Sequence, residues 1–590
     1  MRYPTLIVPE TSRQMVDVFK GYNHNLRISD GEFFDMKNMT SDYYPVLSPR
    51  GKRGLYDGNY TAPTGMIAKD SLCFADIDGD FVINNYRIDM KLNEEPKQLI
   101  SMGAYVIIMP DKKWVNTLTH EWGNIEAEVK TKAPVSFTLC KLDGSDYSSD
   151  IPREEPAEPK NMDLWIDVST EPHDLKMWSE SSRMWVSVGT TYVKITSVGI
   201  GVPFEKYDGI TIAGLSGVLT DGESGNPIEN SSDIAALEGS AVVWEKGDDY
   251  IVVVGILDVT RSITNQVTIS RTMPTMDFIV ESGNRLFGCR YGEGSDGNVV
   301  NEIYASKLGD FKNWNCYMGL STDSYAAACG TDGPFTGAIT HLGYPLFFKE
   351  NCVHKVYGSY PANFQIQNTA CNGVQRGSDK SLAIVNSTLF YKARNGVCAY
   401  DGSLPTEISY AFGNERYSDA VGGSHGNKYY ISMKDANGVY HLFVYDVAKG
   451  MWHKEDNRRI DQFCSCRGEM YANCGGSIVT MLGSGDSEEN RVEWMVQTGE
   501  IGISSPDMKY ISRLNVRMSM DIGSEVRFYA QYDFSDAWED VCTLTSTNLR
   551  SFSIPIRPKR CDHMKLRIEG VGNAKIYSIT KTIEQGSDRS

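Results

Sequence analysis

The chain has 590 residues, 41% of them apolar and 23% charged, with a formal net charge of −18. Its length exceeds what one hydrophobic core serves and implies several domains, while its apolar content excludes a disordered chain. The acidity excludes a protein that grips nucleic acid through a generally basic surface, because phosphate binding needs Lys and Arg turned toward the polyanion.

Taken in chain order, residues 1–54 read as an extended N-terminal arm. Within it, "GYNHNLRISDGEFFDMKNMTSDYYPVLSPRGKRG" (Gly21 to Gly54) holds Pro45 and Pro49, which keep the backbone extended, and Gly51 and Gly54, which permit sharp turns. No apolar leader with a cleavage site opens the sequence. The longest apolar stretch, Ile251 to Val259, is too short to span a bilayer, so synthesis in a cytoplasm without membrane insertion is expected.

Residues 55–149 contain two units, near Leu72 and Val106, each made of two strands of large apolar residues around a short polar turn. Five further units begin near Leu286, Leu346, Leu389, Tyr429 and Met470, within residues 276–498. From Leu346 onward successive units recur at roughly 40 residues, the period of propeller blades with four strands each, while the unit at Leu286 has the same two strands with a longer connecting loop. Asp78–Gly79, Asn395–Gly396 and Asn437–Gly438 supply the hairpin turns. The expected fold is therefore all-β, a β-propeller of six or seven blades.

Between the two blade regions, residues 150–275 start with the Pro- and Glu-rich "DIPREEPAEPKN", read as a linker, and continue as an inserted small β domain. Residues 499–590 alternate apolar and polar side chains over short strands and are expected to form a C-terminal β-sandwich. That tail is locally basic, which suits contact with an acidic neighbour.

Few residues suggest chemistry. "DIDGD" (Asp76 to Asp80) has the carboxylate density of a calcium loop but lacks the distal acid and the flanking helices, so a polar hairpin turn is expected. "SKLGDFKNW" (Ser306 to Trp314) is similar to the Asp-box hairpin of sialidase-like propellers, in which Asp and Trp staple a blade turn. The 13 cysteines are spread singly and read as reduced core residues. Cys464 and Cys466 form a C-x-C that is read as sending its two side chains to opposite faces of a strand. The histidines are scattered over different units. No catalytic constellation, cofactor motif or metal-ligand spacing stands out, and the expectation is a chain that is not an enzyme, with no cofactor and no metal.

The arm ends in "YPVLSPRGKRG", whose Leu47, Ser48, Pro49, Arg50 and Gly51 make an L-x-x-R-x-G-like turn just before the first blade. This layout resembles the propeller-containing nozzle, tail hub or "stabilisation" proteins of short-tailed bacteriophages and prophages. The C-terminal "SFSIPIRPKRCDHMKLRIEGVGNAKIYSITKTIEQG" also resembles a phage structural β-sandwich. The resemblance implies a structural protein of the virion tail, present as a homo-oligomeric ring, typically a hexamer. Such a ring closes and gates the DNA channel, lets genomic DNA pass without sequence-specific binding, and contacts the portal adaptor, other tail proteins or tail fibres. Expected contact residues are Asp42, Tyr43, Tyr44, Arg50, Lys52 and Arg53 in the arm, with Arg557, Lys559 and Arg560 in the tail. The rival expectation is a receptor-binding or baseplate protein that recognises host surface glycans.

Overall fold

The computed structural model describes residues 11–585, apart from residues 59, 133, 149, 229–231, 295–296, 504–506, 534 and 546–548. Strands dominate it, with one four-residue α-helix, Ser232–Ala235, among the described residues. No helix described is long and apolar enough to cross a membrane.

The propeller expectation holds. Seven sheets with at least four strands each follow the repeat units found in the sequence. The first contains Pro63–Lys69, Ser71–Asp76, Asp80–Ile83 and Tyr86–Asp89; the sixth contains Ser418–His425, Lys428–Lys434, Tyr440–Asp446 and Met451–Lys454. In the first six the strands lie side by side in chain order, as an up-and-down meander requires, and the inner strands are the most apolar. All six residues of Ser71–Asp76 are buried. At the hairpin after that strand Gly79 has φ +90, a backbone conformation that costs glycine nothing.

The chain divides into two units, the first comprising Met1–Leu99, Phe335–Lys355 and Asn368–Ser590. In the first unit the arm is no free extension. Thr11–Val16 pairs antiparallel with the C-terminal strand Ala574–Gln585, and Glu32–Lys37 pairs with Glu493–Thr498. Both sheets of the C-terminal sandwich therefore include arm strands, and one of them takes Glu493–Thr498 from ahead of the expected boundary at 499. Its strands alternate cleanly: along Lys509–Met520 buried positions recur every second residue for most of its length. The apolar core beneath runs from the arm (Phe19, Tyr22, Phe33) through the sandwich (Leu514, Phe528, Ile568) to the fifth and sixth blade sheets (Phe390, Tyr429, Phe443, Trp452).

The arm then closes the seventh blade sheet. Gly54–Leu55 sits between Ser477–Thr480 and Asp486–Ser487, antiparallel to both. A side chain at Gly54 would run into the Ser484 carbonyl, so this close approach of three backbones requires glycine. In the same blade Cys464 and Cys466 are both buried with exposed Ser465 between them. The expectation that they face opposite sides is corrected, because residues two apart on a strand share a face.

The second unit, Ile100–Pro334 with Val356–Gln367, contains the inserted domain. This domain starts at Ala127–Lys130 rather than at 150, since that strand pairs with Thr268–Arg271 at the far end of the insert. A four-stranded and a five-stranded sheet enclose a core that includes Phe137, Val193, Ile195, Ile210, Ile251 and Ile269. A separate three-stranded sheet, Leu164–Asp167, Asp174–Ser179 and Met184–Ser187, carries Trp165, Trp178 and Trp185, with Trp185 edge-on to both others at 5.4 Å. Two of these indoles hold the linker, Trp165 donating to the Arg153 carbonyl and Trp185 to Glu155. The Pro- and Glu-rich segment is thus strapped to the insert along part of its length.

Candidate functional site

The arm residues expected to make contacts divide into two groups. Arg50 and Arg53 turn inward, which corrects their placement among outward-facing contacts. Arg53 is fully buried and pairs with Glu455 and Asp456, both at 2.5 Å. Arg50 forms a bidentate pair with Glu489, at 2.7 and 2.8 Å, and donates to Asn38. Arg458 on Glu488 extends the cluster, which ties the arm turn to the sixth and seventh blade sheets. Burial raises the Asp456 carboxyl, but Arg53 outweighs it and leaves the group below the ordinary carboxylate range.

The other arm residues stay at the surface. Partial burial raises the Asp42 carboxyl, but its pairing with Lys428 at 2.5 Å outweighs this and holds the group low. Tyr43 and Tyr44 are exposed, with the Lys575 ammonium 3.6 Å from the Tyr43 ring centroid and Lys449 5.9 Å from that of Tyr44. Tyr43, Arg50 and Lys52 line one cleft of about 420 Å³ with Arg491 and the strongly exposed Ile522 of a sandwich loop. Arg557, Lys559 and Arg560 are exposed but do not line this cleft; Lys559 is paired with Glu539.

The two motifs read as structural behave so. Arg87 bonds Asp76 and Asp80 at 2.8 Å and Asp78 at 3.3 Å, so the carboxylates of "DIDGD" are held by a cation from the next strand. In "SKLGDFKNW" the buried Trp314 donates to the Phe311 carbonyl, and Asn313 donates to Asp310 and Asp208. Asn313 also accepts from the Gly209 amide at 2.8 Å, so this blade turn clasps a strand of the insert.

Sequence reasoning misses one constellation. His173, Asp233 and Asp258 place one donor atom each within 4.8 Å of one another, the single such group among the described residues. They stand on a turn, on the short helix and on the loop after Tyr250–Val254, with no shared motif or spacing to reveal them. His173 and Asp233 line a cavity of about 630 Å³ with Glu171, Thr191, Leu237 and Val254.

No family model matches this sequence, and no curated protein matches it. Solved structures similar to it include an exo-β-1,3-galactanase from Phanerochaete chrysosporium, at 10% identity and TM-score 0.21, covering 51% of this chain and 94% of that one. A GH43 glycoside hydrolase engineered for endo-xylanase and exo-arabinofuranosidase activity is similar at 8% identity and TM-score 0.19, covering 52% and 96%. Pyrococcus horikoshii acylaminoacyl peptidase is similar at 8% identity and TM-score 0.23, covering 62% and 56%. These likenesses to enzymes correct the expectation that the chain is not an enzyme, and that exclusion is withdrawn. At such identities and scores they bring no reaction, substrate or catalytic residue to this chain.

Proposed function

We propose that the chain is a structural protein of a bacteriophage tail, forming the nozzle or hub ring that surrounds and gates the DNA channel. The observation that carries this reading is the construction of the arm. Residues 11–55 give strands to both sheets of the C-terminal sandwich and to the seventh blade sheet, and Arg50 and Arg53 lock the turn between them. An arm and turn tied to the sandwich and to the seventh blade sheet within the first unit suit a component that must hold its shape under the pressure of a packaged genome. The net charge of −18 suits a wall past which DNA slides without adhering. The exposed Tyr43, Tyr44 and Lys52 and the exposed Arg557, Lys559 and Arg560 are the proposed contacts with a second copy, the portal adaptor or tail fibres.

The test is native mass spectrometry and negative-stain imaging of the purified protein, with a search for the chain in purified particles. Closed rings with a central hole, and the chain present in the tail, are expected. A strictly monomeric protein absent from particles sinks the reading and leaves glycan recognition as the better one.

A further inference from the structure

We propose that His173, Asp233 and Asp258 form a divalent-cation site at the edge of the insert's cavity. This inference is independent of the tail reading and rests on three observations.

The first is an orphan. The Asp233 side chain is 7% exposed, and its Oδ2 is buried with no hydrogen-bond partner. Its Oδ1 accepts from the neighbouring Ser232 hydroxyl, at 3.2 Å. The Asp258 carboxyl lies within hydrogen-bonding reach of Asp233, so a buried carboxylate oxygen here is relieved either by a proton shared with Asp258 or by a cation, and titration with metal separates the two.

The second is the imidazole. Nδ1 of His173 lies 3.0 Å from the Thr170 carbonyl. A carbonyl can only accept, so Nδ1 carries a proton, which leaves Nε2 as the ring nitrogen that can offer a lone pair to a metal. That is how a metal-ligating histidine is oriented by a backbone partner. Nε2 faces Asp233 Oδ1 at 4.0 Å, too far for a hydrogen bond and well placed for both to share a cation.

The third is the balance of charge. Asp258 is engaged by Arg153 at 3.1 Å and Arg261 at 3.0 Å, one guanidinium on each oxygen, which leaves it further lone pairs. Glu171 adds a further carboxylate to the cavity lining. One imidazole and two carboxylates suit Zn²⁺ or Mn²⁺ rather than Ca²⁺, which prefers oxygen alone, and the adjoining cavity leaves room for water in the remaining positions.

The experiment is titration calorimetry of the untagged full-length chain, stripped with chelator, against ZnCl₂ and MnCl₂ separately. One ion per chain is expected for at least one metal. Asp233→Asn and His173→Gln should each weaken binding at least tenfold, and the ion should raise the melting temperature of the parent protein but not of the variants. Asp233→Asn removes the orphan charge, so without metal it should melt no lower than the parent. His173→Gln serves as the second arm if that variant folds poorly. Absence of binding by the parent, or binding by both variants at parental strength, overturns the proposal.

Discussion

At Arg53 the whole guanidinium is out of water, held between Glu455 and Asp456. Replacing it by methionine leaves two carboxylates facing one another beneath the arm turn. Breaking a buried pair from one side costs about 3–5 kcal/mol, so Arg53→Met should lower the urea midpoint by that equivalent with an unchanged slope. His453 makes a different prediction. Burial, with Lys428 nearby, pushes its imidazole down to about 3 from the ordinary 6.5. The unfolded chain therefore takes up a proton below about pH 6.5 that the folded chain refuses. The stability from this group is complete above 6.5 and drains away as the pH falls toward 3, by about 2 kcal/mol at pH 5. His453→Gln should flatten the fall in melting temperature between pH 7 and pH 5, whatever its effect at neutrality. At this scale the sequence is a poor guide. Arg50 and Arg53 read as exposed because their acidic partners lie between 402 and 439 residues downstream, beyond the reach of any local pattern. His173, Asp233 and Asp258 carry no spacing at all.

Among elements, the blades are legible and the arm is not. Hairpins declare themselves locally, since alternation and a turn glycine fall within a dozen or so residues, as at Leu72 to Ile83. Two-residue strands such as Gly54–Leu55 or Gly21–Tyr22 have no period to read, and the partners of Gly54–Leu55 are remote. The insert's start is misplaced for a like reason, because Ala127–Lys130 is recognisable only through its pairing with Thr268–Arg271. The closing strand can be tested directly. Gly54→Val should force Gly54–Leu55 out of the seventh blade sheet, at about 1–3 kcal/mol, and hydrogen exchange should rise at Ser477–Thr480. The clasp on the insert yields another outcome. Asn313→Ala removes two side-chain donor contacts and the acceptor for the Gly209 amide. It should cost about 1–3 kcal/mol and speed exchange of the Gly209–Ala213 strand, with the C-terminal sandwich unaffected.

For the whole molecule, the acidic balance predicts no retention of duplex DNA. Mobility shift at physiological salt should show no binding tighter than about 10⁻⁴ M, the weak end of ordinary non-specific association. All-β architecture, repeat period and the presence of an insert are readable from 590 residues because each rests on local pattern. The joining of the two ends is not, since nothing near residue 11 announces a partner near residue 584. That pairing, Thr11 with Glu584 through Val16 with Ile579, sets a clock on synthesis. At about 5–20 residues per second a ribosome needs roughly half a minute to two minutes to travel from one strand to the other. Throughout that interval the first strand has no mate on its own chain. On a polysome crowded with sister chains, a finished C-terminal strand from one copy could take the waiting N-terminal strand of the next, so the order of manufacture itself favours exchange between neighbours.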